Sequence, residues 1–165
     1  MSICSFAFMG GCVEKLTTVA FSNSYSDTFS TKAYPGNGPI VLSDQIVNSD
    51  VEKTLKDNGA SLDNLKELKI NSASIEIELP AGGNFNAIDY VELYLSTASL
   101  PEIKVAFKNP VAKGATKVDL DVNSSDLAPY LKSPQYHVIF KGSNNSPLPP
   151  MRLKYNTKYD LKASL

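Results

Sequence analysis

One histidine, two cysteines and no tryptophan restrict the chemistry open to this chain. His137 lies inside a run where Tyr136, Val138 and Phe140 alternate. A strand of that pattern sends His137 to the opposite face, with no Ser or Cys motif beside it, so it reads as a structural or surface histidine. Nucleophile elbows, phosphate-binding glycine loops and zinc signatures are absent from the sequence. Glu76 and Glu78 form a carboxylate pair, but alternation with Ile75, Ile77 and Leu79 puts them on a solvent face, where acid–base tuning is rare. Asp119-Leu120-Asp121-Val122-Asn123 copies the first oxygen spacings of a calcium loop. Ser124 then replaces the turning glycine and Tyr130 the bidentate glutamate, so Asp119 and Asp121 are expected to be outward strand carboxylates. No catalytic residue, cofactor or metal is assigned. An enzyme of unknown class is the least favoured reading.

Tyr90, Glu92 and Tyr94 are the stronger candidates for a ligand platform. Spaced by two on one strand face, two rings flank a carboxylate, able to stack on sugar faces and accept hydroxyl hydrogen bonds. The competing reading packs these tyrosines under a helix or against a neighbouring strand. Charge is also arranged unevenly, although 16 Lys+Arg against 17 Asp+Glu leave a net charge of −1 and no basic nucleic-acid footprint. Residues 44–102 hold 4 Lys and 11 acidic residues, and residues 132–165 hold 6 Lys+Arg and one Asp. Arg152 and Lys154 alternate with apolar neighbours on the last strand, so cross-strand pairing with Glu76 and Glu78 is expected. The alternative is a basic patch for anionic head groups or acidic glycans.

Both cysteines precede residue 13, so no disulfide or thiolate zinc site forms in the body. The opening run is apolar, too short to span a bilayer, and ends in Met9-Gly10-Gly11-Cys12. That ending resembles a bacterial lipobox, which implies removal of residues 1–11 and acylation of Cys12. Residues 1–12 are therefore read as a signal and lipobox remnant, and residues 13–165 as a single domain. The competing reading is a buried N-terminal strand carrying an incidental cysteine.

The elements that must position these residues follow from periodicity. Val19 and Phe21 suggest one or two early strands, and Pro35-Gly36-Asn37-Gly38 a turn before a short Ile40-Val41-Leu42 run. Ser49-Asp50-Val51-Glu52 has capping-box spacing, with Val51 and Leu55 on one helix face and Gly59 as a left-handed stop. Ser61 and Ser125 are expected to cap two further turns. From residue 68 the period is two, with Leu68 and Ile70 out of phase with Ile75, Ile77 and Leu79, which predicts a bulge near Asn71 to Ala73. Six to eight strands at close intervals leave no room for crossover helices. The expected fold is all-β: an antiparallel, Ig-like β-sandwich with one or two short helices, each under the length of a domain-building helix.

The segments Ile88 to Leu95 and Leu100 to Ala106, with Asp119 to Leu131 and Met151 to Ala163, resemble small lipid-anchored envelope proteins of Bacteroidota-type bacteria. The resemblance implies a secreted β-sandwich lipoprotein of the outer membrane or periplasm. The expected role is a non-catalytic binding or assembly module for a partner protein or glycan, a monomer on its membrane anchor that binds no nucleic acid. The alternative is a structural or adhesive surface subunit that assembles by adding a strand, with Met151 to Leu165 as the candidate donor.

Overall fold

Alternating apolar residues dictate eight strands, and the computed structural model, which describes residues 17–165, places them in one continuous antiparallel arrangement. Cys4, Cys12 and the lipobox lie outside the described residues. The strands are β1 (Thr18–Ser30), β2 (Gly38–Asn48), β3 (Leu65–Leu79), β4 (Ile88–Ser96), β5 (Ile103–Lys108), β6 (Lys117–Val122), β7 (Gln135–Asn144) and β8 (Arg152–Ser164). Helix α1 (Val51–Asp57) follows β2, and the single turn α2 (Ala128–Leu131) follows β6. The spatial order is β1-β8-β3-β6-β5-β4-β7-β2. Only two residue pairs, Ala106 with Val122 and Phe107 with Asp121, join β5 to β6. The sheet folds there into two layers, β1-β8-β3-β6 against β2-β7-β4-β5. The expected antiparallel sandwich is the observed fold, but its strand order is not Ig-like: this interleaving of first with last strands is the double Greek key order of a jelly roll.

The core fills the space between the layers. Leu153, Tyr155 and Leu161 from β8, Leu68 and Ile75 from β3, and Val91, Leu93 and Leu95 from β4 are all at most 1% exposed. Each such side chain contributes roughly 1.5–3 kcal/mol relative to staying in water. Phe140 of β7 stacks on Phe29 of β1 at 5.3 Å and meets Tyr155 of β8 at the same separation, bridging the layers. The bulge expected near Asn71 is present, as a register shift between Ile70 and Ser72 against β8. It lets Leu68, Ile70 and Ile75 all face the core despite their phase change. The alternation does not carry to the strand's end: a further shift follows Ile77, and Leu79 is exposed.

Three local expectations are corrected. The early Ser/Thr-rich segment forms one strand of 13 residues, within the expectation, whereas the short Ile40-Val41-Leu42 run belongs to a strand of 11. Ser49 does not close a capping box: its hydroxyl donates to the Leu131 carbonyl at 2.7 Å, tying the start of α1 to the end of α2. Asp50 occupies the N-cap position without a side-chain cap bond, its carboxylate accepting from Asn23 of β1. Ser125 and Ser61 likewise make no cap; Asp126 takes the role at α2, its Oδ1 accepting from Ala128 N–H and Leu68 N–H at 3.0 Å each. The stop at Gly59 does hold. Its φ is +77°, and Gly59 and Ala60 donate to the Lys56 and Leu55 carbonyls in the two-bond left-handed closure of a helix.

Candidate functional site

The outer face of β2-β7-β4-β5 carries the tyrosine stripe. Tyr90, Glu92 and Tyr94 point outward from β4, each half-buried, while Val91, Leu93 and Leu95 point into the core. The register puts Lys141 of β7 opposite Glu92, and Lys104 of β5 opposite Tyr94. The stripe thus becomes a network. Tyr94 donates its hydroxyl to Glu92 Oε2 at 3.0 Å, and Lys104 Nζ donates to Glu92 Oε1 at 2.9 Å. Lys141 sits 4.8 Å from the centroid of the Tyr94 ring and pairs with Glu102. Burial, and then the bond to Glu92, push the Tyr94 phenol above its usual range, while Glu92 holds the Lys104 ammonium up. Tyr94 is thereby a positioned member of the network, one ring face turned to an ammonium, and Glu92 retains lone pairs for a further donor.

Tyr90 is placed differently. It borders a depression of about 220 Å³ with Pro39, Val41, Glu92, Lys141 and Gly142. Gly142 is required there, because a Cβ would lie 2.5 Å from the Tyr90 carbonyl oxygen. That close approach, and the register shift between Ile88 and Tyr90, set the ring beside Lys141 and opposite the half-exposed Val41. An aromatic ring, an aliphatic wall, a carboxylate and an ammonium around one shallow depression offer chemistry that can meet an apolar face and a hydroxylated edge. Sequence periodicity located Tyr90, Glu92 and Tyr94; Lys104, Lys141 and Val41 come from three other strands and were missed. Ile139, buried beneath this face and outside the main core, was missed for the same reason.

The remaining sequence candidates are separate from this depression. His137 is half-buried on the same sheet face, its Nδ1 2.7 Å from Asp44 Oδ1 of β2. Asp119 pairs with Lys117 at 3.1 Å and Asp121 with Lys108 at 3.3 Å, both carboxylates pointing out of β6 as expected. Among the described residues no three His, Cys, Asp or Glu side chains converge where they would hold a metal ion. Arg152 pairs with Glu78 at 3.0 Å and Lys154 with Glu76 at 3.7 Å, the cross-strand pairing expected from sequence. No helix among the described residues is long and apolar enough to cross a membrane.

No protein-family model matches the chain, and no curated protein matches it in sequence. Among solved structures it is similar to one of the infectious bursal disease virus Gt strain. The TM-score is 0.41 at 10% identity, over 98% of this chain and 38% of the length of that one. At that distance the likeness says nothing of what either chain binds.

Proposed function

We propose that this chain is a non-catalytic binding module of the cell envelope, anchored through a lipid on Cys12, that holds a glycan against the Tyr90 depression. The observation that supports it is the convergence of Tyr90, Val41, Glu92 and Lys141 from three strands around one depression of about 220 Å³. A sugar offers the matching surfaces, C–H groups for the ring and the valine and hydroxyls for the two charges. The lipobox-like Met9 to Cys12 supports the anchor, as does the resemblance to lipid-anchored envelope proteins. The fold would give such an anchor a direction. Residue 18 begins β1 at the end holding α1 and α2, where Leu165 N–H donates to Thr17 O at 3.0 Å. The four loops at residues 31–37, 80–87, 109–116 and 145–151 gather at the far end, and Tyr90 lies near that end of β4. A membrane at Cys12 leaves the depression turned outward.

Two measurements test this reading. On a glycan array, the wild type retains a defined sugar class, and Tyr90→Ala weakens binding about tenfold or more, within the range of one stacked ring. Equal binding by both proteins removes the platform. Detergent partitioning of the protein expressed with its upstream start tests the anchor: wild type enters the detergent phase and Cys12→Ala the aqueous phase. Two aqueous proteins remove it.

Assembly by strand addition is the second reading, and one observation favours it. Among the described residues the outer edges of β1 and β2 have no strand partner, and each strand carries a single charged residue, Asp27 and Asp44. Such edges lack the lysines that usually blunt pairing. The candidate donor read from sequence, Met151 to Leu165, is less favoured than these edges, because β8 is paired on both sides, with β1 and with β3.

A further inference from the structure

The outer face of the other layer, β1-β8-β3-β6, is polar across all four strands, and it carries the largest depression among those described, about 490 Å³. Two features of the sequence open it. The bulge at Ile70/Ser72 lifts β3 from its register with β8, and β6 pairs with β3 only from Ala73 to Glu76 before leaving it. Beside this opening, where the ladder is kept, side chains stand in rows. Ser24 of β1, Lys158 of β8 and Ser72 of β3 share one row; Ser26, Asn156, Ser74 and Asp119 of β6 share the next. Adjacent strands are about 4.8 Å apart, so the rows repeat hydroxyl, amide and charged groups at a spacing near the span of a pyranose ring.

Charge singles out one residue in this grid. Arg152, Lys154, Lys162 and Lys117 each pair with a carboxylate, Glu78, Glu76, Glu67 and Asp119 respectively. Lys158 is exposed and, among the described residues, in no ion pair. The acid two positions along its strand, Asp160, is already engaged by the Ser22 hydroxyl at 2.7 Å and the Asn71 amide at 2.6 Å. One free ammonium is thus set beside neutral donors and acceptors and the Lys117–Asp119 pair at the mouth of the depression. A phosphate or sulfate site would gather several cations and exclude a carboxylate, whereas here Asp119 is part of the wall, an acceptor suited to a sugar hydroxyl.

We propose that this depression binds an acidic saccharide, with the carboxylate of a uronic-acid residue on Lys158 and its ring hydroxyls on Ser72, Ser74, Asn156 and Asp119. The site lies on the opposite sheet from Tyr90, so the two fail independently. Calorimetric titration of the full chain with a galacturonic acid trimer tests it, with a neutral galactose trimer, inorganic phosphate and phosphatidylglycerol vesicles as separate probes. Binding of the uronate trimer is expected to fall at least tenfold in Lys158→Met and in Asn156→Ala, to be unchanged in Tyr90→Ala, and to exceed that of the neutral trimer. Urea midpoints close to wild type confirm that both substitutions, at exposed Lys158 and half-buried Asn156, leave the fold intact. Unchanged affinity in Lys158→Met overturns the proposal, as does absence of uronate binding. Competition by phosphate at equal concentration, or Lys158-dependent retention on the vesicles, replaces it with a general anion site or a lipid-headgroup site.

Discussion

Individual charged residues in this protein act through partners the fold brings from distant segments. Glu67 is the clearest case: Lys162 and Lys69 hydrogen-bond its carboxylate from β8 and from its own strand, and hold its pKa down to about 2 from the usual 4.5. A carboxylate depressed in the folded state contributes stability that is full above its unfolded pKa and is lost as pH falls through the folded one. Wild type should therefore lose stability between about pH 4.5 and pH 2 more steeply than Glu67→Gln. At pH 7 the variant should be the less stable of the two. Urea midpoints across that pH range check both signs. Parallel curves for the two proteins would show that the pair exists without coupling to folding. Gly142 illustrates the opposite kind of residue, important for what it lacks, since any side chain there would collide with the Tyr90 carbonyl and move the candidate site.

At the level of elements, β8 carries the sandwich. It is paired with β1 over residues 152–164 and with β3 over residues 152–163, and its inward side chains Leu153, Tyr155, Tyr159 and Leu161 lie in the centre of one layer. Removing residues 151–165 would strand β1 with no neighbour and open β3 along its length. The truncated chain is expected to lose its cooperative urea transition and its solubility. A soluble, cooperatively folding truncate would make β8 a detachable donor strand and revive assembly by exchange. The outward charges of the same strand matter less. Exposed pairs such as Arg152 with Glu78 contribute roughly 0.2–1 kcal/mol each, so they select register more than they hold the fold.

For the whole molecule, topology governs how it reaches its fold. The first strand closes on the last, Thr18 opposite Ser164, and the layer order forces β2 to find β7 and β3 to find β8. Such non-local pairings incur loop-closure entropy before they gain contacts, which places all-β sandwiches at folding times on the order of milliseconds to seconds. Stopped-flow dilution from urea, followed by tyrosine fluorescence, should show relaxation in that range. Completion within microseconds would mean that local hairpins, rather than the β1–β8 closure, dominate the barrier.

The sequence by itself determined the all-β class, the bulge at Asn71, the helix stop at Gly59, the outward Tyr90-Glu92-Tyr94 stripe and the matching of Arg152 and Lys154 to Glu78 and Glu76. Each depends on local geometry, the two-residue period of a strand or the sterics of a left-handed turn, or on a charge pattern readable along the chain. Only the tertiary structure decided which strands are neighbours, and with that the rest. Ser49 accepts from the nearby Val51 N–H at 3.4 Å, as local geometry allows, but the Leu131 carbonyl to which it donates at 2.7 Å was supplied only by the packing of α1 beside α2. Asp126 capped in place of Ser125, and the fold brought the Leu68 N–H to the same carboxylate oxygen. Glu92 gained Lys104 and Tyr90 gained Lys141 and Val41 through the pairing of β4 with β5 and of β7 with both β4 and β2, contacts between residues up to about a hundred positions apart. Period-two patterning says which way a side chain points and nothing of which strand lies beside it, because every strand of a sandwich presents the same alternation to its neighbours.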